Sequence, residues 1–167
     1  MNSCVFIGKF QPFHIGHFLV IKGMTRVCEK IVIAIGSSKE EWTKENPFSI
    51  GERREMIQRA LQSEDIIPTF DITFLDVPDT KQDADWVKSI TDVTGDTCVV
   101  WTGNLDVEDC CKSAGIEVKQ IKEVPGISAT DIRQKIKAGD SAWKDKVPKD
   151  VAKYIEEIGG IDRIKEI

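Results

Sequence analysis

The sequence predicts an α/β protein: a doubly wound parallel sheet followed by C-terminal helices. Two observations lead there. Apolar runs of strand length alternate with helical patterns through residues 1–125, and the runs are short and continuously apolar, as strands covered on both faces are. From Ser128 onward the pattern is helical only. In such a sheet ligands bind in the crevice beyond the carboxyl ends of the strands. The chain of 167 residues shows no internal repeat, low-complexity stretch or linker. One domain is therefore expected over 1–167, with an α/β core over 1–125 and a helical part over 126–167.

The strands are expected at residues 5–8, 31–36, 72–77, 98–102 and 116–121. Helices are expected between them at 17–27, 51–62, 84–91 and 105–113, with Met56, Ile57, Ala60 and Leu61 forming one apolar face of the second. Gly8 and Gly103 fall at strand ends. One further helix follows Ser128. Another starts near Pro148, carries Val151, Ile155 and Ile158 at core-facing spacing, and stops at Gly159-Gly160 before an amphipathic tail, 161–167. The pattern is Rossmann-like. The longest stretch without an assignment, 37–50, carries Trp42, Pro47 and several charges, and long loops inside compact domains are often functional.

A formal net charge of −5 argues against a general nucleic-acid or anionic-membrane surface, because both need a basic footprint. Any anion site must be local. The N-terminus runs into a strand with no cationic region ahead of a long apolar one, and the run 31–35 is far too short to span a bilayer, so a cytoplasmic protein is expected. Cysteines at 4, 28, 98, 110 and 111 form no Cys-x-x-Cys pair and are read as reduced, mostly buried small hydrophobes.

His14 and His17 are the only histidines, and they fall in Gly8-Lys9-Phe10-Gln11-Pro12-Phe13-His14-Ile15-Gly16-His17, between the first strand and first helix. Residues three apart share a helix face, and a helix N-terminus offers unpaired N–H donors and partial positive charge. Imidazoles and amides would meet anionic oxygens together, with Lys9 adding a full charge. Gly8 and Gly16 would let phosphates approach the backbone. A zinc site is disfavoured, because His-x-x-His supplies two ligands and no paired cysteine spacing supplies the rest.

A second basic helix mouth lies at Ile127-Ser128-Ala129-Thr130-Asp131-Ile132-Arg133. Ser128 with Asp131 resembles a capping box, and Ile127 with Ile132 a hydrophobic staple. Arg133 is not needed for capping, and its planar fork suits phosphate oxygens. Ser49 with Glu52 is another capping signature, and Arg53 beside it either packs or meets a second anionic group. Trp86 follows a polar stretch holding Asp79 and Asp83; it is either core or a stacking platform for a flat ring.

Gly8 to His17 resembles the H-x-G-H motif of the nucleotidylyltransferase superfamily, and Ile127 to Arg133 resembles its second motif. The segment from Glu45 to Arg53, Trp86, Trp101-Thr102-Gly103-Asn104 and the tail from Val147 narrow the resemblance to archaeal-type nicotinamide mononucleotide (NMN) adenylyltransferases, along nearly the whole chain. That resemblance implies transfer of the adenylyl group of ATP to NMN, giving NAD and pyrophosphate, with magnesium accompanying ATP. It implies that Gly8, Lys9, Phe10, His14, His17, Gly103, Asn104, Ser128, Thr130 and Arg133 bind ATP, with His14, His17, Lys9 and Arg133 catalytic. It also implies that Trp86, Asp79, Asp83 and Arg53 bind NMN, and that the chain forms a homo-oligomer. No protein metal ligand is expected. Lys9 stands where the family usually has arginine, and Ala129 where it has glycine or serine. Sister transferases acting on pantetheine phosphate or flavin mononucleotide, class I aminoacyl-tRNA synthetases and an idle nucleotide sensor are the competing classes. A tRNA synthetase would need tRNA-binding domains that a short acidic chain lacks.

Overall fold

The computed structural model describes residues 3–80, 82–95 and 97–167, and of Asp83 the backbone alone. Five strands form one all-parallel sheet in the order β3-β2-β1-β4-β5, with β1 at Ser3–Gly8, β2 at Lys30–Ile35, β3 at Asp71–Asp76, β4 at Cys98–Thr102 and β5 at Glu117–Gln120. Because β1 pairs with β2 on one side and β4 on the other, the chain reverses its direction of winding between β3 and β4. That reversal opens a crevice beyond Gly8 and Thr102.

Alternation along the strands feeds two cores. Cys4, Phe6, Ile31, Ile33, Ile35 and Trp101 join Ile21 and Met24 of α1 (Ile15–Met24) and Met56, Ile57 and Leu61 of α2 (Ile50–Ser63). Val5, Val32, Ala34 and Val100 turn the other way, toward Val87 and Ile90 of α4 (Asp83–Thr94) and Cys111 of α5 (Leu105–Ser113). A four-residue helical turn, α3 (Ile66–Thr69), leads into β3. The C-terminal helices α6 (Ala129–Ala138), α7 (Lys149–Glu157) and α8 (Gly160–Glu166), with the 3-10 turn Ser141–Lys146, all pack on the first face, where Ile132, Ile136, Trp143, Val151, Ile155 and Ile164 join the core of Phe6 and Phe13. Gly159 adopts φ 69° between α7 and α8, a left-handed conformation that a glycine takes without strain.

The expectation that all cysteines are reduced does not hold. Cys4 in β1 and Cys28, just ahead of β2, form a disulfide, because parallel pairing sets Cys4 beside Ile31 and brings the two Cα atoms to 6.0 Å. Cys98, Cys110 and Cys111 take no part in a disulfide, and burial pushes the Cys111 thiol up to about 11, so it stays protonated. The expected start of the first helix at residue 17 is also corrected: α1 begins at Ile15, with His14 as its N-cap. No helix among the described residues is long and apolar enough to cross a membrane.

Candidate active site at two helix mouths

The side chains of His14 and His17 are a capping box made of two imidazoles. His17 N–H donates to Nδ1 of His14 at 3.3 Å, and His14 N–H donates to Nδ1 of His17 at 3.1 Å. The rings lie nearly parallel, 3.5 Å between centres. With each Nδ1 accepting, the proton of each neutral ring must sit on Nε2. Burial lowers the His14 pKa to about 4, and burial together with the neighbouring ring drives that of His17 well below 6.5. Two neutral N–H donors are thereby fixed at the mouth of a helix whose first turn holds no acidic residue.

Gly8 and Gly16 serve this pair by a different route from the expected one. A Cβ on Gly8 would stand 2.9 Å from the Phe10 ring, and one on Gly16 would stand 2.9 Å from the His14 ring. Their missing Cβ atoms make room for these two rings, and Gly16 also lines the cavity described next. Phe10 itself is corrected from ATP contact to core: it is 1% exposed, holds φ 55°, and sets its ring edge-on to His17 at 4.8 Å. Phe13 stacks on the same imidazole at 5.6 Å.

His14 and His17 open into a cavity of about 360 Å³ with Thr102, Gly103 and Asn104 at the end of β4 and Ser128 and Ala129 at the start of α6. Gly16 and the apolar side chains of Phe6, Ile7, Val20, Ile121, Val124 and Ile127 line most of the rest, with the charged Lys122 and Glu123 beside them. That mixture suits a flat base with a polar, anionic end. Asn104 caps α5 by accepting from Asp106 and Val107 N–H, and Ser128 caps α6 by accepting from Asp131 N–H. Asp131 does not complete the expected box; its carboxylate pairs with Lys146 at 2.8 Å.

Arg133 reaches back along α6 as expected, its Nη1 donating to the carbonyl of Gln11 at 2.8 Å and its Nη2 to the Thr130 hydroxyl at 3.4 Å. A second cavity of about 250 Å³ lies there, lined by Lys44, Glu45, Thr130, Arg133 and Lys137. Arg133 thus ties the two histidine-bearing and hydroxyl-bearing helix mouths together. Lys9 is exposed, and its carbonyl accepts from Arg53 at 3.0 Å.

Arg53 is corrected. It is wholly buried, and its guanidinium donates to the carbonyls of Lys9, Gly36, Ser37 and Ser49 at 2.7 to 3.3 Å. Those bonds occupy its donors in bracing the loops around the crevice, so it does not face an open anion site. Asp79 is exposed and accepts from the Ser37 hydroxyl at 3.0 Å, while Trp86 is half-buried against the second core. Neither lines the histidine cavity. The side chain of Asp83 lies outside the described residues.

A larger groove, about 1020 Å³, runs between α4 and α5 past Lys88, Asp109 and Cys110. It lies away from both helix mouths and gathers no phosphate-binding set, so size alone misleads here. Gln11, Glu45 and Thr102 lie inside the motif segments that carry the resemblance, but the sequence assigns no individual role to them or to Lys44. Gln11 sits inside the first motif, but its partner Phe48 is 37 positions away, beyond the reach of local spacing.

The cytidylyltransferase-like family model matches residues 5–135. Nicotinamide-nucleotide adenylyltransferase of Pyrococcus furiosus is 35% identical, with 99% of this chain and 88% of that protein covered. The enzymes so named from Methanolobus tindarius and Methanococcus maripaludis strain C5 are 35% and 36% identical, covering 100% and 96% of this chain and 95% and 92% of theirs. Among solved structures, a bifunctional NMN adenylyltransferase/ADP-ribose pyrophosphatase of Francisella tularensis, complexed with AMP and a manganese ion, superposes with TM-score 0.74 at 22% identity over 93% of this chain; the chain spans 49% of that protein. A Plasmodium falciparum nicotinic acid mononucleotide adenylyltransferase superposes with TM-score 0.71 at 14% identity, covering 96% of this chain and 97% of its own. These last two share the fold. From a family model spanning most of the sequence and full-length relatives above one-third identity, the chain belongs to the cytidylyltransferase-like nucleotidyltransferases and, among them, to the nicotinamide-nucleotide adenylyltransferases.

Proposed function

We infer that the protein transfers the adenylyl group of ATP to nicotinamide mononucleotide. A phosphate oxygen of the acceptor attacks the α-phosphorus of ATP in line, the bond from that phosphorus to the β-phosphate bridging oxygen breaks, and pyrophosphate leaves. The nucleophile is already anionic, so the reaction needs no serine, cysteine or general base. What it needs is two repelling anions held in register and charge stabilised on the reacting phosphate.

The observation that carries this reading is the reciprocal His14–His17 cap, which fixes two Nε2–H donors at a helix mouth without a net charge that would vary near neutral pH. Neutral, preorganised donors of this kind stabilise charge that develops during reaction. In this assignment His14, His17, Lys9 and Arg133 face the phosphates, Ser128 and Thr130 close the site, Gly103 and Asn104 run along the adenosine, and Trp86 with Asp79 meets the pyridine ring. No group of three or more histidine, cysteine, aspartate or glutamate side chains able to hold a metal exists among the described residues. In this reading the divalent ion enters with the substrate, as magnesium-ATP.

The test is an acceptor screen with magnesium-ATP, following pyrophosphate. NMN is expected to give the highest kcat/KM, above nicotinate mononucleotide, flavin mononucleotide and phosphopantetheine. Preference for one of the last two would replace the acceptor while leaving adenylyl transfer in place. Pyrophosphate release with none of them would remove the function.

A further inference from the structure

The segment between β2 and α2 has no regular secondary structure from Ser38 to Ser49, yet it is clasped from behind by the last helix of the chain. Arg163 of α8 donates from Nη1 to the Pro47 carbonyl at 3.1 Å and to Oε1 of Glu52 at 2.7 Å, and from Nη2 to Oε2 of Glu52 at 2.9 Å. Its guanidinium also lies 3.7 Å from the centre of the Trp42 ring. Arg163 is 8% exposed, whereas Trp42 is 55% exposed and held at φ 60°, a conformation an aromatic residue rarely adopts unless something fixes it. A fork to a carboxylate and a stack under an indole together fix both position and orientation, which a point charge does not.

The contacts continue inward. Phe48, next to Pro47, donates its N–H to Oε1 of Gln11 at 2.9 Å and accepts Nε2 of Gln11 at 3.0 Å. The Gln11 carbonyl in turn accepts from Arg133. The same segment sets Lys44 and Glu45 on the wall of the cavity that holds Thr130 and Arg133. A stack of hydrogen bonds thus runs from the C-terminal helix to the arginine at the second helix mouth.

We propose that Arg163 is a positioning residue for the phosphate end of the nucleotide site, holding the segment from Trp42 to Phe48 and, through Gln11, the guanidinium of Arg133, without touching substrate. This rests on reading the cleft as an ATP site. Apolar packing would anchor α8 equally well, since a buried ion pair is a poor source of stability compared with well-packed hydrophobic side chains. What the pair supplies is geometry for the loop.

Arg163→Lys and Trp42→Ala test it, with Arg59→Ala as the control. Arg59 bridges α2 to Glu157 of α7 at 3.0 Å and lies over Tyr154, away from the loop. The measurements are ATP affinity by calorimetry in the presence of magnesium, KM and kcat for each substrate, thermal midpoint, and the rate of tryptic cleavage at Lys39 and Lys44. In Arg163→Lys, kcat/KM for ATP is expected to fall on the order of 10²-fold, as small misplacements of a site do. ATP affinity should weaken, KM for the acceptor should hold, and loop cleavage should accelerate. Trp42→Ala should move the same quantities less. Arg59→Ala should lower the thermal midpoint alone. Wild-type ATP affinity and kcat in a folded Arg163→Lys would overturn the proposal, as would an equal kinetic loss in Arg59→Ala. Should the wild-type protein bind ATP but make no NAD, the acceptor assignment fails while calorimetry and cleavage still decide the role of Arg163. A wild-type protein that does not bind ATP removes both.

Discussion

His14 and His17 hold each other's backbone N–H through Nδ1, so the helix start and the protonation of the site are one arrangement. A cap normally uses an oxygen of serine, threonine, aspartate or asparagine. An imidazole does the same work with one nitrogen and leaves the second, with its proton, for a ligand.

His14→Asn separates the two tasks. Asparagine is a good N-cap, so the thermal midpoint should stay near that of the wild type, while loss of the Nε2 donor should lower kcat by about 10² to 10³-fold. His17→Ala should lose both, because its ring also packs on Phe10 and Phe13. Steady-state kinetics beside thermal denaturation decide it; wild-type kcat in His14→Asn would take His14 out of the mechanism.

The same burial makes stability depend on pH. Unfolded, both imidazoles titrate near the ordinary value of 6.5; folded, burial lowers His14 to about 4 and holds His17 well below 6.5. Between those values the unfolded chain binds more protons, so this contribution is complete above pH 6.5 and is lost as pH falls toward 4. Thermal midpoints across that window should drop in the wild type and drop less in a His14→Asn, His17→Asn double variant. Ring proton resonances titrating at pH 6 to 7 in the folded protein would contradict this.

Arg53→Met leaves buried carbonyls of Lys9, Gly36, Ser37 and Ser49 without their donor, and should destabilise by about 3 kcal/mol or more in urea unfolding. Arg53→Lys should be less destabilised and keep KM for both substrates. A raised acceptor KM with unchanged stability would put Arg53 on a phosphate after all.

Trp86→Ala should raise KM for the acceptor roughly tenfold or more and leave KM for ATP unchanged, since stacking and area burial together supply more than about 1.4 kcal/mol. The two KM values, measured in the same preparation, separate a stacking platform from a core residue. Unchanged acceptor KM with a lowered thermal midpoint would make Trp86 core alone.

The sheet, the helix order and both helix-mouth motifs are legible in the sequence because they are local: alternating apolar runs, caps at three-residue spacing, glycines at strand ends. α1 starts two residues ahead of the helix the pattern predicts, since histidine is an unusual cap. Phe10 and Arg53 sit inside or beside motifs that resemble ligand contacts, and only the tertiary packing shows that the ring fills the space over Gly8 and the guanidinium binds carbonyls. The Cys4–Cys28 bond and the Gln11–Phe48 pair depend on which strands and loops become neighbours, which residue spacing does not encode.

That disulfide encloses the whole first motif, from Gly8 to His17, and all of α1 in a covalent ring. Lys9, Lys22 and Arg26 are exposed within it, so a protease that cuts after any of them produces a nicked chain whose pieces remain joined until the bond is reduced. The two imidazoles stay fastened to the molecule after such a cut. Ser128 to Arg133 lies outside that ring, so a single cut in the connection between α5 and α6 leaves the second helix mouth held to the first only by noncovalent contacts such as the Arg133–Gln11 hydrogen bond.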